Sequence, residues 1–216
     1  FCMLNDENLI SKNCIVYAYD NMKRGEPKWF EGIKNKDYIF FNQSNIIEEV
    51  NYPKVDYIIH AASIASPIYY RKFPIETMDA NVIGLRNLLN HSIKNKPKSF
   101  LFFSTSEIYG DPSPDFIPTP EDYRGYVSCS GPRACYDESK RYGETLCVNF
   151  NKVYNLPIKI ARPFNNYGPG LKITDRRVLP DFFRNILNNQ NIELLSDGKA
   201  TRTFCYISDA ITGYLL

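Results

Sequence analysis

Short apolar runs alternate with helical periodicities along this chain, and the alternation predicts a parallel α/β fold. The runs that read as strands cover 14–19, 37–42, 56–60, 99–103, 157–162, 191–195 and 203–207. The segments that read as helical are 1–12, 77–93, 136–155 and 179–187, and Ser208 is the expected cap of one more helix. Turn-forming residues at 111–132 and 165–170 predict loops. Because strand and helix alternate, we expect a doubly wound parallel sheet.

Composition changes this picture little, but it limits the classes of partner. The 216 residues carry a formal net charge of +2, which gives no electrostatic reason to expect binding to nucleic acid or to a membrane surface. No apolar run approaches the roughly 20 residues of a membrane helix. The six cysteines do not form a Cys-x-x-Cys pair and there are only two histidines, which argues against a metal site. Scattered cysteines of this kind favour a reduced, cytoplasmic protein.

A candidate for acid–base chemistry is the pair Tyr136 and Lys140. A spacing of four places both side chains on one face of a helix. A neighbouring ammonium favours the phenolate, so we expect the pKa of Tyr136 to be lowered toward neutrality and the phenolate to act as a base. The same spacing recurs at Tyr19 and Lys23, where two poor helix formers intervene and no helix is expected.

Polar residues follow two of the predicted strands, at the edge where open α/β sheets bind ligands. Thr105 and Glu107 come directly after the strand at 99–103. Asp20 follows an earlier strand, where an acidic residue accepts hydrogen bonds from the adenosine ribose of a dinucleotide and disfavours a 2′-phosphate. This position favours NAD over NADP, and the alternative is that Asp20 only begins a turn.

Several segments, taken together and in this order, resemble the extended short-chain dehydrogenase/reductase family. They are residues 56–62, 104–112, 131–141, 161–169 and 201–204. Within the family the chain is similar to the NAD-dependent nucleotide-sugar epimerase/dehydratase branch, and most similar there to the UDP-glucuronate decarboxylases (UDP-xylose synthases). The resemblance implies NAD as cofactor, a nucleotide sugar as substrate, and a homodimer formed through the 77–93 helix and the helix that carries Tyr136.

The resemblance also implies roles for individual residues. The implied catalytic residues are Thr105, Glu107, Tyr136 and Lys140; the cofactor-binding residues are Asp20, Asn21, Ala61, Ala62, Ser104, Tyr136 and Lys140; the substrate-binding residues are Ser66, Ser106, Asn165, Arg177 and Arg202. We interpret His60 as a packed residue at a strand end, Asn81 as a surface residue and Arg133 as structural.

The expected reaction is transient oxidation of the sugar at C4. Related 4,6-dehydratases carry an aspartate, which protonates the departing hydroxyl, where this chain has Ser106. A serine is a much weaker acid, which argues against loss of water and favours decarboxylation of UDP-glucuronate to UDP-xylose. A 4-epimerase or 4-oxidase/4,6-dehydratase of another nucleotide sugar is the alternative, and a non-catalytic sugar-nucleotide-binding relative is the third possibility.

The expected domains are an NAD-binding Rossmann-like part over 1–165 and a small substrate-binding part over 166–216, interleaved with the first. The glycine-rich turn that cradles a pyrophosphate, and the strand before it, have no counterpart in the sequence. We interpret this as a truncation at the amino end, with a second truncation at the carboxyl end.

Overall fold

A computed structural model describes residues 14–26, 28–32, 37–49 and 51–216. The helix predicted over residues 1–12 lies outside the described residues. The chain divides into two compact units, residues 1–50 and residues 51–216. The second unit contains the Tyr136–Lys140 pair as well as the whole of 166–216, and the predicted domain boundary at residue 165 stays a prediction.

The first unit contains two parallel strands, β1 (Val16–Asp20) and β2 (Ile39–Gln43). A 3-10 helix at Lys28–Gly32 lies between them in sequence, and its Phe30 packs edge-on against Phe41 with ring centroids 4.9 Å apart. Both strands were expected from the apolar pattern. The second begins later than predicted because residues 37–38 form a turn.

The second unit is built on three parallel strands: β3 (Tyr57–His60), β4 (Ser99–Phe103) and β5 (Ile158–Ala161). Their order is β3-β4-β5, so β4 is central. Strand β4 is the most apolar of the three, and Phe100 and Phe102 are completely buried. A central parallel strand is covered on both faces, which explains why its sequence is an unbroken apolar run.

Four helices connect or cover these strands: α1 (Pro67–Lys72), α2 (Pro74–Asp79), α3 (Leu85–Asn95) and α4 (Ala134–Tyr154). A π-helical turn at Ala80–Gly84 joins α2 to α3, so the helix predicted over 77–93 is longer than expected and irregular in its middle. The interpretation of Asn81 as a surface residue is wrong. Its side chain lies buried in this turn and donates a hydrogen bond to Ser139 Oγ at 2.8 Å.

Helix α4 approaches the sheet closely at Gly143. A Cβ atom at that position would lie 2.6 Å from Phe102 Cζ and 3.3 Å from Leu85 Cδ2. The absence of a side chain therefore lets the helix backbone pack directly on a buried ring of β4. This contact fixes the distance between α4 and the central strand.

The last part of the second unit contains β6 (Asn165–Tyr167), β7 (Phe204–Tyr206), α5 (Val178–Leu187) and α6 (Ile207–Leu215). Strands β6 and β7 pair in parallel. Tyr214 of α6 hydrogen-bonds Asn166 at 2.7 Å and packs edge-on against Phe103 at the end of β4. These contacts connect α6 both to β6 and to the three-stranded sheet.

Three expectations for this part are wrong. Residues 165–167 form a strand where turns alone were predicted, because β7 provides a partner. Residues 191–195 are not a strand: Leu194 and Leu195 are exposed, and no strand pairs with them among the described residues. Ser208 does not cap α6 but lies in its first turn, with its hydroxyl donating to Asp209 Oδ1. None of the helices in the described ranges is both long enough and apolar enough to cross a membrane.

We predict that Gly143→Ala destabilises the protein by about 1–3 kcal/mol, because the added methyl group overlaps Phe102. An alanine in an open helical position would instead stabilise the helix by up to about 1 kcal/mol. Gly213→Ala in α6 is the matched control, since a Cβ there meets nothing within 4 Å. Urea unfolding of both variants measures the difference, and a Gly143→Ala protein as stable as the control would contradict the close contact.

Candidate active site

The polar segment after β4 is held against the end of β5. The Ser106 N–H donates to the Pro163 carbonyl at 3.0 Å. Residues Ser106–Tyr109 then form a 3-10 helix, and Thr105 caps it by accepting a hydrogen bond from the Glu107 N–H at 3.3 Å. Thr105 is buried. The fold therefore fixes the backbone of this segment at the carboxyl edge of the sheet.

Tyr136 lies buried in the first turn of α4 and meets Thr105. Thr105 lies within reach of the phenol, and its hydroxyl favours the phenolate as a hydrogen-bond donor. The Tyr136 ring stacks on Tyr70 with centroids 5.2 Å apart and planes at 10°. The expected lowering of the Tyr136 pKa is wrong: burial raises it to about 12, because removing the phenolate from water outweighs the favourable hydrogen bond from Thr105.

Lys140 lies one turn along the same helix and is also buried. Its Nζ donates to the carbonyl oxygen of Phe103 at 2.6 Å and lies 5.0 Å from the centroid of the Phe102 ring. Burial lowers the pKa of Lys140 to about 7, since the ammonium loses its hydration. Near neutral pH this lysine can therefore hold or release a proton.

Glu107, the other charged residue among the predicted catalytic residues, forms an ion pair with Arg133. Arg133 Nε also lies 3.5 Å from Asp137 Oδ2. Burial raises the pKa of Asp137 to about 6, although the neighbouring guanidinium opposes the shift. The sequence interpretation gave no role to Asp137, and the spacing of four between Arg133 and Asp137 was the available signal for it.

Two arginines fix the long loop beside the site. Arg162 makes a forked pair with Glu144, at 2.9 and 2.7 Å, and donates to the Tyr109 hydroxyl at 2.9 Å and to the Glu121 carbonyl at 2.6 Å. Arg141 bonds carbonyl oxygens on both sides of the loop base, at Ile108 and at residue 124. These contacts connect the 3-10 helix, helix α4 and the loop.

The base of this loop is also closed by a backbone contact. Gly110 and Tyr126 form an isolated bridge. Gly110 has φ +64°, and a Cβ there would lie 2.0 Å from the Tyr126 carbonyl oxygen. Gly125 has φ +66° and would place a Cβ 2.5 Å from the Ile108 carbonyl oxygen. Only glycine permits this approach at both positions.

The residues predicted near the cofactor occupy the ends of β3 and β4. Ala61 and Ala62 are exposed. Ser104 is buried, and so is Ser66, which was predicted to bind the substrate. The hydroxyl groups of both find no hydrogen-bond partner among the described residues. His60 is buried against Phe102, and burial lowers its pKa to about 3, so it is neutral and packed, as interpreted.

Asp20 is the last residue of β1 in the first unit, and Asn21 follows it. Asp20 Oδ1 accepts a hydrogen bond from the Met22 N–H at 2.7 Å, and Asn21 Oδ1 accepts one from the Lys23 N–H at 3.1 Å. Asp20 does form a turn, and its second carboxylate oxygen takes no part in that turn. Its role toward a ribose stays a prediction.

Three of the predicted substrate-binding residues lie around β6 and β7. Asn165 donates to the Thr203 carbonyl at 3.0 Å, and Arg177 pairs with Asp175 at the start of α5. Both line one shallow groove. Arg202 is exposed and bonds the carbonyl of the residue before it. None of these contacts reaches Tyr136, and the three substrate-binding roles stay predictions.

The sequence matches the NAD dependent epimerase/dehydratase family over residues 7–216. The chain belongs to this family. Membership confirms the predicted family, and the family's NAD dependence agrees with the expected cofactor.

Several curated relatives are similar to the chain in sequence. UDP-glucuronic acid decarboxylase 5 of Arabidopsis thaliana is 38% identical over 99% of this chain and 60% of its own length. UDP-glucuronic acid decarboxylase 1 of Xenopus tropicalis is 37% identical over 90% of this chain and 44% of its own length. The chain thus spans about 60% or less of these relatives.

Solved structures show the same fold. UDP-glucose 4-epimerase of Thermotoga maritima, with UDP-glucose, has a TM-score of 0.82 at 26% identity, covering 97% of this chain and 67% of that one. An NAD dependent NDP-hexosamine 5,6-dehydratase involved in tunicamycin biosynthesis has a TM-score of 0.76 at 27% identity, covering 93% and 62%. These likenesses confirm the predicted Rossmann-like parallel α/β fold.

We predict that Lys140→Met changes how stability depends on pH. Between the folded pKa of about 7 and the usual value of 10.5, the unfolded chain binds more protons than the folded protein. The free energy of unfolding of the wild type therefore rises with pH across this window, and the methionine variant loses that rise. Urea unfolding at pH 7, 8.5 and 10 measures the slopes, with the exposed Lys152→Met on the same helix as control. Equal slopes for the wild type and Lys140→Met would contradict the buried ammonium.

Proposed function

We propose that this protein is an NAD-dependent nucleotide-sugar enzyme that oxidises its substrate transiently at C4, and that it converts UDP-glucuronate to UDP-xylose. The observation that carries the proposal is the meeting of Tyr136 with Thr105 at the carboxyl end of β4, one helical turn from the buried Lys140. Family membership and the names of the most similar curated relatives support the choice of reaction.

Tyr136 takes the proton of the C4 hydroxyl, and Thr105 orients that hydroxyl through the hydrogen bond that it shares with Tyr136. NAD, when bound, supplies the hydride acceptor and the positive charge of its nicotinamide ring. Lys140 in its protonated form adds a second cation, and both charges favour the phenolate of Tyr136. Because the site is buried, each charge has a larger effect on the pKa of Tyr136 than it would have in water.

Several features of the chain fit NAD. Ser104 presents a buried hydroxyl group that has no hydrogen-bond partner among the described residues. Ala61 and Ala62, exposed at the end of β3, let a flat ring approach the backbone. The acidic side chain of Asp20, at the end of β1, is proposed to accept hydrogen bonds from the adenosine ribose.

Ser106 favours decarboxylation over dehydration. Once C4 is a ketone, the C5 carboxylate is a β-keto acid and leaves as carbon dioxide, with its electrons delocalised into the C4 carbonyl. No acid is needed beside C6, and the hydroxyl of Ser106 is not one. Proton return to C5 and hydride return to C4 then complete UDP-xylose.

A 4-epimerase is the second candidate. It needs only the set Thr105, Tyr136 and Lys140, and the structural likeness to a UDP-glucose 4-epimerase favours it specifically. Asn165, Arg177 and Arg202 are proposed to contact the nucleotide sugar in either case, and a forked guanidinium suits a pyrophosphate.

We also propose a homodimer formed through α2, α3 and α4. Large apolar side chains are exposed on these helices and on the π turn, at Ile75, Met78, Ile83, Tyr142 and Val153. Exposed apolar groups at one set of helices favour a self-complementary contact. Sedimentation at several protein concentrations tests the proposed dimer, and Met78→Glu should weaken the association.

A cytoplasmic location stays a prediction.

The reaction is tested by incubating the protein with NAD and UDP-glucuronate and measuring carbon dioxide and UDP-pentose. We expect both products, and a loss of at least about 100-fold in kcat for Tyr136→Phe, because the general base is removed. Tyr57→Phe, at an exposed tyrosine near the amino end of β3, is the matched control and should keep full activity.

Other outcomes distinguish the alternatives. Turnover of UDP-glucose or UDP-galactose without carbon dioxide would identify an epimerase instead. Binding of sugar nucleotides without any turnover would indicate a non-catalytic relative. A fully active Tyr136→Phe variant would refute the assigned base.

A further inference from the structure

Three charged residues form a cluster beside Tyr136, here named the Arg133 cluster: Glu107, Arg133 and Asp137. Arg133 Nη2 pairs with Glu107 Oε2, and Arg133 Nε lies 3.5 Å from Asp137 Oδ2. One guanidinium thus contacts two carboxylates from different parts of the chain. Both carboxylates also act electrostatically on the Tyr136 phenol.

The cluster contributes little to stability. The side chains of Arg133 and Glu107 are 39% and 41% exposed. Ion pairs at this exposure contribute roughly 0–1 kcal/mol, because water screens the charges. Variants that remove Arg133 are therefore expected to fold, and the reason for the cluster must be sought in the position it gives to its members.

The two contacts of Arg133 differ in rigidity. Asp137 lies on the long helix α4, its side chain is only 13% exposed, and it is one turn from Arg133 at the helix start. Glu107 lies on a short 3-10 helix and is more exposed. The planar fork of an arginine can connect two carboxylates in a fixed geometry. Arg133 therefore holds the Glu107 carboxylate in a fixed place relative to helix α4.

We propose that Arg133 is a positioning residue for the reaction at this site: anchored by Asp137, it holds the Glu107 carboxylate in place beside Tyr136. The inference rests on the proposed function and on the catalytic role that the family resemblance implies for Glu107, which is to contact the sugar or a water molecule. Arg133 itself does not touch the reacting atoms and acts through Glu107.

A double-mutant cycle tests this assignment. Arg133→Met should lower kcat/KM by about 10- to 100-fold in the wild-type background, the size expected for a misplaced catalytic group. In a Glu107→Gln background the same change should cost less than about 3-fold, since there is no carboxylate left to position. A loss of equal size in both backgrounds would overturn the proposal, because Arg133 would then act independently of Glu107.

Conservative variants separate positioning from charge. Arg133→Lys keeps the positive charge but lacks the fork, so we expect it to recover only part of the lost kcat/KM. Asp137→Asn should lower kcat/KM in the wild-type background and have no effect once Arg133 is methionine. Full recovery of kcat/KM in Arg133→Lys would contradict the proposal that Arg133 positions Glu107. So would an effect of Asp137→Asn that persists in the Arg133→Met protein.

Lys98→Met is the matched control. It removes an exposed cation that pairs with Asp56, before strands β3 and β4 begin, and kcat/KM should not change.

A measurement without turnover keeps this inference separate from the reaction. In protein labelled with ¹⁵N-arginine, the Arg133 side-chain signals are identified by their loss in Arg133→Lys. Glu107→Gln and Asp137→Asn should each shift those signals, whether or not any nucleotide sugar is converted, and unshifted signals would overturn the proposal. If the wild type converts none of UDP-glucuronate, UDP-glucose and UDP-galactose, the proposed function fails. The arginine signals still show whether Arg133 contacts Glu107 and Asp137.

Discussion

A buried ammonium on the last carbonyl of β4 is the interaction on which the second unit depends. Lys140 reaches the Phe103 oxygen only because α4 lies almost against the strand, and the bare backbone of Gly143 on Phe102 permits that approach. Taking a lysine out of water is costly, so the position must be fixed by many other contacts. The buried apolar face of α4 and the aromatic core of β4 provide them.

The same burial sets the electrostatics of the site. It raises the pKa of Tyr136 and lowers the pKa of Lys140, so both groups are driven toward their neutral forms. A low effective dielectric makes each nearby charge count more than it would in water. Deprotonation of the phenol is therefore favoured by any positive charge that comes close to it.

Much of this could be predicted from the sequence, and the failures have physical reasons. The buried strands and α4 follow from apolar runs and periodicity, and the spacing of Tyr136 and Lys140 follows from helix geometry. The direction of the Tyr136 pKa shift does not, because it depends on how much water the fold removes. Likewise, Asn81 looked like a surface residue because its buried partner, Ser139, is distant in sequence.

Short strands were the least predictable elements. The pattern favoured a strand at 191–195 and turns at 165–167, yet only the second segment finds a neighbouring strand. Pairing of this kind is decided by tertiary contacts, which local sequence does not report. The contact between Arg133 and Glu107 is of the same type, since it joins two helices that begin far apart along the chain.

The closed base of the 111–125 loop has a consequence for how such an enzyme can change. The two ends of the loop are held together by close backbone contacts at Gly110 and Gly125 and by the Arg141 side chain, which donates to backbone carbonyls. None of these contacts depends on the side chains at the tip of the loop. Insertions or substitutions at the tip would leave the turn at Thr105 undisturbed. Changes at the tip of this one loop can then accumulate while the positions of Thr105 and Tyr136 stay the same.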